Sequence, residues 1–490
     1  MDFVLKANEM RAADTYSAEV LNINTYTLML NAASALVCEA EKLIEYDNSK
    51  KILILCGKGN NGGDGIAALD ILIKKGYTVE CVAVFGKNFS GAALTAYENC
   101  DKRLVFDYSD EIFRSVKDSD LIIDCIFGTG FNGVLKSETA KLISTINLSH
   151  AKKISCDVPS GCSCDDGKVF TVAVKADVTV TFAAYKPCFF LYPACDYCGQ
   201  VIVSDINLPN KSIDFQNPQI TLIKDSLIRK LIKSRPENSH KGTFGEVQLV
   251  CGSKMMTGAA VLAAKGALRS GVGLVYIESG SYVRKRLQTQ LSEPVYVKKK
   301  RKTKAGAYVI GCGLGKHSKR LKKLIKQNKP MVIDADALSY LAKHPRIIKK
   351  KHCEIILTPH PLELARLCGT TVDVVESDRI KAALATASDF NSTVVLKGHH
   401  TIIATPSGEV FINTTGNSGL AKGGSGDVLS GLIGSLLAQG YSTKESAILG
   451  VYLHGKAADN LKIKISEAGM LPSDIPEEIG VLLKNYEVNS

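Results

Sequence analysis

The sequence predicts an α/β protein of two domains, each built on a parallel sheet. Three observations carry this. Short runs rich in branched apolar residues alternate with stretches of helical apolar spacing along nearly the whole chain. At roughly 100–200 residues per domain, 490 residues make two or three domains. The alternation loosens after INLPNKSIDFQNP (206–218), before a second series starts at GEVQLVCGS (245–253). We therefore expect a boundary near 212–222, with domains over 1–212 and 222–490. No internal repeat or low-complexity linker is evident, and the two halves read as different folds.

In the first half, KILILC (51–56), TVECVAVF (78–85), DLIIDCIF (120–127), KKISCDV (152–158) and ADVTVTF (176–182) are the expected strands. In the second, GEVQLVCGS is followed by GLVYIES, AYVIGCGLG, MVIDADAL, EIILTPHP and TVVLKG, then by a glycine-rich stretch from 416. Ligands of such sheets bind at the carboxyl ends of the strands. Three polar clusters of the first half sit there: CGKGNNGGDG (56–65), Asp124 with GTGFNG (128–133), and Asp157 with PSG (159–161).

Composition narrows the class. A hydrophobic content of 45% supports large cores. No apolar run reaches the length of a membrane span, so none is expected. The opening MDFVLKANEMRAADTYSAEV carries charges throughout, not the basic-then-apolar order of a signal peptide, and a cytoplasmic location is expected. The net charge of +12 comes largely from KKKRKTK (298–304), KHSKRLKKLIKQNK (316–329) and IIKKKH (347–352). No interleaved aromatics or nucleic-acid motif accompany them, so they read as solvated faces, and no nucleic-acid partner is expected. A general attraction for an anionic nucleotide is their one further use. The fifteen cysteines are scattered. Cys56, Cys125, Cys156 and Cys251 fall inside strand-like runs and read as buried free thiols. Cys195 and Cys198 form one C-x-x-C with Cys188 upstream, but no second pair or nearby histidine completes a zinc set.

Gly57, Gly59 and Gly62 satisfy G-x-G-x-x-G between a strand and a helix, a pattern that lets backbone N–H groups approach a pyrophosphate. The same loop carries two asparagines and an aspartate, and a carboxylate beside a pyrophosphate is electrostatically unfavourable. A dinucleotide dehydrogenase also wants an acid at the end of the second strand to hold the ribose. Here that strand ends AVFGKN, and Glu80 lies mid-strand. The loop is thus weak evidence for hydride transfer. Asn61, Asp124 and Ser160 are oxygen-bearing and follow three different strands. Together they can surround a hard cation; each alone also reads as turn chemistry.

NNGGDG (60–65), DCIFGTGFNG (124–133), SCDVPSG (155–161), TFAAYKP (181–187) and the YP…G…VIVSDINLP run (192–209) resemble the NAD(P)H-hydrate epimerase family, over about 1–210. The resemblance implies a Rossmann-like domain whose loop holds a dinucleotide hydrated at C6 of the nicotinamide ring, together with a potassium ion. By matched position, Asn61, Asp124 and Ser160 are the implied potassium ligands. Asn60, Asn61, Gly62, Gly63 and Asp64, then Gly128, Thr129, Gly130, Phe131, Asn132, Gly133 and Val134, and finally Asp157 are the implied substrate contacts. The chemistry agrees. C6 bears a ring nitrogen and a hydroxyl, so the nitrogen lone pair can expel water and water can return to either face. An acid/base beside C6 promotes both steps, typically by 10²–10⁴-fold. Asp157 is the candidate; capping a turn before Pro159 is its plain alternative.

NTTGNSGLAKGGSGDVLSGLIGSLLAQG (413–440) is the strongest signal of the second half. GGSGD precedes a helix, and N–H groups at a helix start face any anion placed there. Asp427 can take a hydroxyl proton while those donors stabilise phosphoryl charge. HKGTFGEVQLVCGS (240–253), TGAA (257–260), GCGLG (311–315), VIDADAL (332–338), TPHPLELARL (358–367) and VVLKG (394–398) accompany it in order. The set resembles the ribokinase-like superfamily and, within it, the ADP/ATP-dependent NAD(P)H-hydrate dehydratases, over about 222–490. By matched position, Ala259, Gly313 and His360 are implied hydrate contacts. Lys397, Gly398, His399, His400, Thr401 and Gly426 are implied nucleotide contacts, and Asp427 is the implied catalytic group at the substrate. Magnesium is expected at the phosphates of ADP or ATP. Met256 stands where the family often has tyrosine. Asp334 and Asp336 invite a magnesium or catalytic role, but a structural or nucleotide-neighbour role is preferred.

The expected function is therefore repair of a damaged cofactor: epimerisation of R and S hydrates, then dehydration of S to NAD(P)H through a phosphorylated C6 hydroxyl. The expected partners are the hydrates of NADH and NADPH, ADP or ATP, and further copies of the chain in a homo-oligomer. One alternative is a ribokinase-like small-molecule kinase with an N-terminal nucleotide-binding regulatory domain, which would leave a stable phosphorylated product. Another is a non-catalytic nucleotide sensor, which would bind S hydrate without turnover.

Overall fold

In this computed structural model, residues 3–298, 303–351 and 353–487 are described. The chain divides into two compact units, Met1–Pro218 and Gln219–Ser490. The middle of the basic run 298–304 and His352 lie outside the described residues.

The first unit holds seven strands: β1 (Lys51–Cys56), β2 (Thr78–Ala83), β3 (Val105–Asp107), β4 (Leu121–Cys125), β5 (Lys152–Cys156), β6 (Val178–Phe182) and β7 (Gln200–Ser204). Their order is β3-β2-β1-β4-β5-β6-β7, and every pairing is parallel. Strands β3 and β7 are additions to the sequence reading; β3 has three residues, and β7 lies half-buried at an edge. Inner strands such as β4 are buried along their whole length, which is why they read as continuous apolar runs instead of alternating ones. The helices Thr25–Leu43 and Asn60–Lys74 cover one face through Leu36, Ile66 and Leu69. The helix Ser137–Leu148 covers the other through Leu142, Ile143 and Ile146. The chain leaves β1 towards β2 and β3, then returns on its other side as β4, so Cys56 lies between Ala83 and Cys125. This reversal opens a crevice at the carboxyl ends of β1 and β4.

The second unit holds ten strands: β8 (Ile220–Ile223), β9 (Glu246–Val250), β10 (Leu274–Glu278), β11 (Val295–Val297), β12 (Ala307–Ile310), β13 (Met331–Ile333), β14 (Ile355–Leu357), β15 (Thr393–Leu396), β16 (Thr401–Ala404) and β17 (Val410–Asn413). Their order is β11-β10-β9-β12-β13-β14-β15-β16-β17-β8. The sheet is mixed, not parallel throughout: β16 runs antiparallel to β15 and β17. Strand β8 closes the far edge beside β17, with Ile220 opposite Val410. The glycine-rich helix Ser425–Ala438 packs closely on the helix Thr257–Leu268. A Cβ on Gly431 would fall 1.9 Å from the Ala263 carbonyl oxygen. Much of the glycine content there thus serves helix–helix approach. Cys56, Cys125, Cys156 and Cys251 are buried, and all fifteen cysteines are free thiols. Among the described residues, no helix is long and apolar enough to cross a membrane.

Candidate active sites

In the first unit, a cavity of about 640 Å³ lies at the carboxyl ends of the strands. Asn60, Asn61 and Asp64 line it from the first turns of the helix Asn60–Lys74. The loop after β4 contributes Gly128 to Asn132, and Asp157 follows β5. Tight backbone packing shapes this loop: a Cβ on Gly57 would sit 1.9 Å from the Ile126 carbonyl oxygen, and one on Gly62 would sit 1.9 Å from that of Gly57. Gly62, Gly63, Gly133 and Val134 fall outside the cavity lining. Gly63 packs on Met29 and Ala93, and Val134 is exposed.

Asp157 stands in the left-handed region at φ 63°, a conformation costly for a side-chain-bearing residue and tolerated where surroundings impose it. Its Oδ1 accepts from Lys186 Nζ at 2.9 Å and Thr181 Oγ1 at 3.1 Å, and its Oδ2 accepts from the Thr129 N–H at 3.3 Å. Lys186 is buried, and its ammonium also donates to Thr181 Oγ1 at 2.6 Å and the Phe182 carbonyl at 2.9 Å. Burial pushes the Asp64 carboxyl well above the usual range, helped by the charge of Asp157. Asp14, on the helix Ala7–Glu19, lines the same cavity. Burial pushes its carboxyl up to about 6; Lys186 pulls it down and Asp157 pushes it up. Sequence reasoning singled out neither Asp14 nor Lys186. Lys186 stands inside the quoted TFAAYKP segment, and its lysine was the available signal.

Beneath the loop, the Asp124 carboxylate is fully buried. It accepts from Ser160 Oγ at 2.5 Å, Ser160 N–H at 2.9 Å, Ser155 Oγ at 2.9 Å and Ile126 N–H at 3.2 Å. Burial nevertheless raises its pKa. Ser160 Oγ also accepts from the Phe127 N–H at 2.8 Å. Asn61 Oδ1 lies 3.2 Å from where a Cβ on Gly128, the residue after Phe127, would be. Among the described residues, both polar atoms of the Asn61 side chain are buried without a hydrogen-bond partner. An orphaned amide against Gly128, with Ser160 on the neighbouring Phe127 amide and Asp124 bonded to that serine, is a donor set that suits a hard cation.

In the second unit, Asp427 lies in the first turn of the helix Ser425–Ala438. Burial pushes its carboxyl up to about 6, aided by the Asp334 charge, while a hydrogen bond with the Cys312 thiol and the Lys397 charge pull it down. Lys397 Nζ is 2.9 Å from Asp334 Oδ1 and 3.9 Å from Glu363 Oε2. Ser430 Oγ donates to Asp334 Oδ2 at 2.7 Å, and Asp336 Oδ2 accepts from the Gly315 N–H at 2.7 Å. Both aspartates are thus engaged by protein partners. A Cβ on Gly426 would lie 3.4 Å from Lys397 Nζ. His360 caps the helix Pro361–Cys368, its N–H donating to Glu363 at 2.9 Å. Gly313, at φ 57°, nests against Ala259 and Met256.

The loop carrying Lys397, Gly398, His399, His400 and Thr401 is held by the buried Arg379, which donates to the carbonyls of His399 and Lys397. Thr401 Oγ1 donates to the Gly398 carbonyl at 3.0 Å, and the His399 and His400 rings lie 3.9 Å apart. His454, buried, has its pKa pushed down to about 4 by burial. Among the described residues, its Nε2 and the Ser425 Oγ lack partners. Sequence reasoning missed Arg379 and His454, which carry no local pattern.

The comparisons with known proteins divide along the same line. Residues 247–480 match a family described as NAD(P)H-hydrate dehydratase, and residues 25–188 match one described as YjeF-related protein N-terminus. The bifunctional NAD(P)H-hydrate repair enzyme of Moorella thermoacetica is 34% identical, over 99% of this chain and 97% of its own length. Its Escherichia coli (strain K12) counterpart is 33% identical, over 96% of this chain and 92% of its own. Among solved structures, an ADP/ATP-dependent NAD(P)H-hydrate dehydratase from Bacillus subtilis, co-crystallised with ATP and Mg2+, is 31% identical with a TM-score of 0.51. It covers 54% of this chain and 98% of its own.

Proposed function

The chain belongs to the bifunctional NAD(P)H-hydrate repair enzymes, and on that premise we propose how its residues divide the work. It interconverts R and S NAD(P)H hydrates and dehydrates the S form to NAD(P)H at the expense of ADP or ATP. The observation that carries the division is the presence of one acid-bearing strand-end cavity in the first unit and one aspartate at a glycine-rich helix start in the second.

In the epimerase cavity, the hydrate lies against Asn60, Asn61, Asp64 and the loop Gly128–Asn132, with C6 beside Asp157. Lys186 and two further donors hold the Asp157 side chain in place and aimed. It takes a proton from water as the oxygen bonds C6, and the reverse step returns it. Asn61, Asp124 and Ser160 would hold potassium; the orphaned Asn61 oxygen and the buried Asp124 carboxyl support the fit. That ion would supply positive charge to the floor of the cavity.

In the dehydratase site, Ala259, Gly313 and His360 hold the hydrate, while Gly426 and the loop 397–401 hold the nucleotide. Asp427 accepts the C6 hydroxyl proton as the hydroxyl oxygen bonds the terminal phosphorus of ADP or ATP, and the bond from that phosphorus to its bridging oxygen breaks to release AMP or ADP. The N–H groups at the helix start and Lys397 face the phosphoryl oxygens. The ring nitrogen then expels phosphate, and loss of the C5 proton restores the dihydropyridine. Magnesium accompanies the nucleotide phosphates and supplies further positive charge there.

The test is incubation of mixed R and S hydrates with ADP, magnesium and potassium, following recovery of dihydronicotinamide absorbance. Both hydrates are expected to disappear. A phosphorylated product that accumulates would favour a small-molecule kinase instead.

A further inference from the structure

Epimerisation by loss and return of water needs two opposite proton transfers. The departing hydroxyl must gain a proton, and the arriving water must lose one. Asp157 suits only one of these in any single passage. Three donors converge on its two oxygens, a setting that suits a proton acceptor, so it enters as a base. An acid must come from another wall of the cavity.

The other charged or acidic groups lining the cavity are Arg11 and Asp14 on the helix Ala7–Glu19, Lys58 before the helix Asn60–Lys74, Asp64 on it, and Lys186. Lys186 spends its ammonium on Thr181, Phe182 and Asp157. Asp64 is nearly shut from solvent, with the Cys156 thiol against it and burial raising its pKa well above the usual range, so little of it meets the water with which an acid must exchange. Asp14 differs from both. Its side chain has no hydrogen-bond partner among the described residues, it is only part-buried, and it borders the same space as Asp157.

We propose that Asp14 is the second proton-transfer group of the epimerase, paired with Asp157 across the shared cavity. The inference rests on the epimerase reading of that cavity. The Asp14 carboxyl gives its proton to the C6 hydroxyl. The C6–O bond breaks, its electron pair leaves with water, and the N1 lone pair forms the N1–C6 double bond. Water then adds to C6 on the other face, the π pair returns to N1, and the Asp157 carboxylate takes the surplus proton. Asp14 ends ionised and Asp157 protonated, and passage in the opposite sense, or exchange with solvent, restores the pair. With its carboxyl pushed up to about 6, Asp14 gains and loses a proton near neutrality, as such a role demands.

The experiment uses the full chain without ADP, so that only epimerisation proceeds. Pure S hydrate is supplied, and the R fraction is followed chromatographically from pH 5 to pH 9. Asp14→Asn is expected to slow interconversion by 10²–10⁴-fold and to remove a titration near pH 6 from the native profile. Asp14→Glu, which keeps the carboxyl, is expected to retain at least about a tenth of the native rate. If Asp14→Asn stays within about threefold of native with the same pH profile while Asp157→Asn is inactive, this inference falls alone. If Asp14→Glu is as inactive as Asp14→Asn, Asp14 serves packing and the inference falls too. If both Asp14→Asn and Asp157→Asn interconvert normally, the epimerase reading of the cavity itself is wrong.

Discussion

Arg379 Nη1 donates to the carbonyl oxygen of His399 at 2.7 Å, from a side chain almost wholly shielded from solvent. Its Nη2 reaches the Lys397 carbonyl at 3.3 Å. One cation on the helix Arg379–Phe390 thus ties down the loop proposed to hold the nucleotide. Arg379→Met should free that loop. Charge-assisted bonds of this kind are each worth about 1.5–3 kcal/mol, so the KM for ADP should rise by at least about tenfold, with interconversion of the hydrates intact. Steady-state kinetics on S hydrate checks this; an unchanged KM would mean the loop holds its own shape.

Asp427→Asn keeps the size of the side chain and removes the base. Dehydration should fall by about 10²–10⁴-fold while R and S continue to interconvert. Near-normal dehydration by this variant would sink the phosphoryl-transfer mechanism.

The same aspartate predicts a pH dependence. With its carboxyl pushed up to about 6, Asp427 is ionised above that pH, so dehydration should decline as pH falls through 6. For stability the sign is reversed. A raised folded pKa contributes stability that is present below the unfolded value and lost as pH rises through about 6. Asp427→Asn should therefore raise the thermal midpoint of the second unit at pH 7.5, by the equivalent of about 2 kcal/mol. The gain should close towards pH 4. Calorimetric scans of both chains across this range test it.

Asn61→Ala removes one proposed potassium ligand and leaves the backbone of the loop able to form. In a mixed hydrate pool with ADP, S should vanish quickly while R lingers, and added potassium should recover only part of the rate. Normal clearance of R at every potassium concentration would reduce Asn61 to a turn residue.

Lys186→Met tests the buried pair. Lys186 is 1% exposed and Asp157 16%, and removing one partner of such a pair typically costs 3–5 kcal/mol. Denaturant unfolding of the first unit should shift to lower midpoint by about that amount. Lys186→Arg should recover much of it; a stability unchanged in Lys186→Met would show that Asp157 sheds its charge instead.

Much of both frameworks was legible because parallel strands buried on two faces read as unbroken apolar runs, and because loops between such strands and helices concentrate glycine and polar residues. KILILC with its loop, and GGSGD with its helix, are of this kind. What escaped lacked a local pattern. VFD is three residues long, and QVIVS sits half-buried at an edge. The reversal at β16 depends on a short return after VVLKG that apolar periodicity does not report. Asp14, Lys186 and Arg379 are single charged residues whose meaning comes only from what tertiary folding sets beside them. The glycines carry a second constraint that the sequence does not show: packing against Gly57, Met29 and Ala93 requires Gly62 and Gly63 to be small.

Strand β8 pairs with β17, which lies roughly 190 residues further along the chain. As the polypeptide emerges from the ribosome, the first unit has every strand it needs before any of the second sheet is complete. Strand β8 must then wait, without its strand partner, for about 190 residues of synthesis, or on the order of ten to forty seconds at ordinary elongation rates. The epimerase unit can therefore be folded and working while the dehydratase unit is still open at its edge. A protein trimmed to begin at residue 247, where the dehydratase match starts, would lack β8 altogether and expose β17 as a bare, apolar sheet edge prone to sticking to its neighbours.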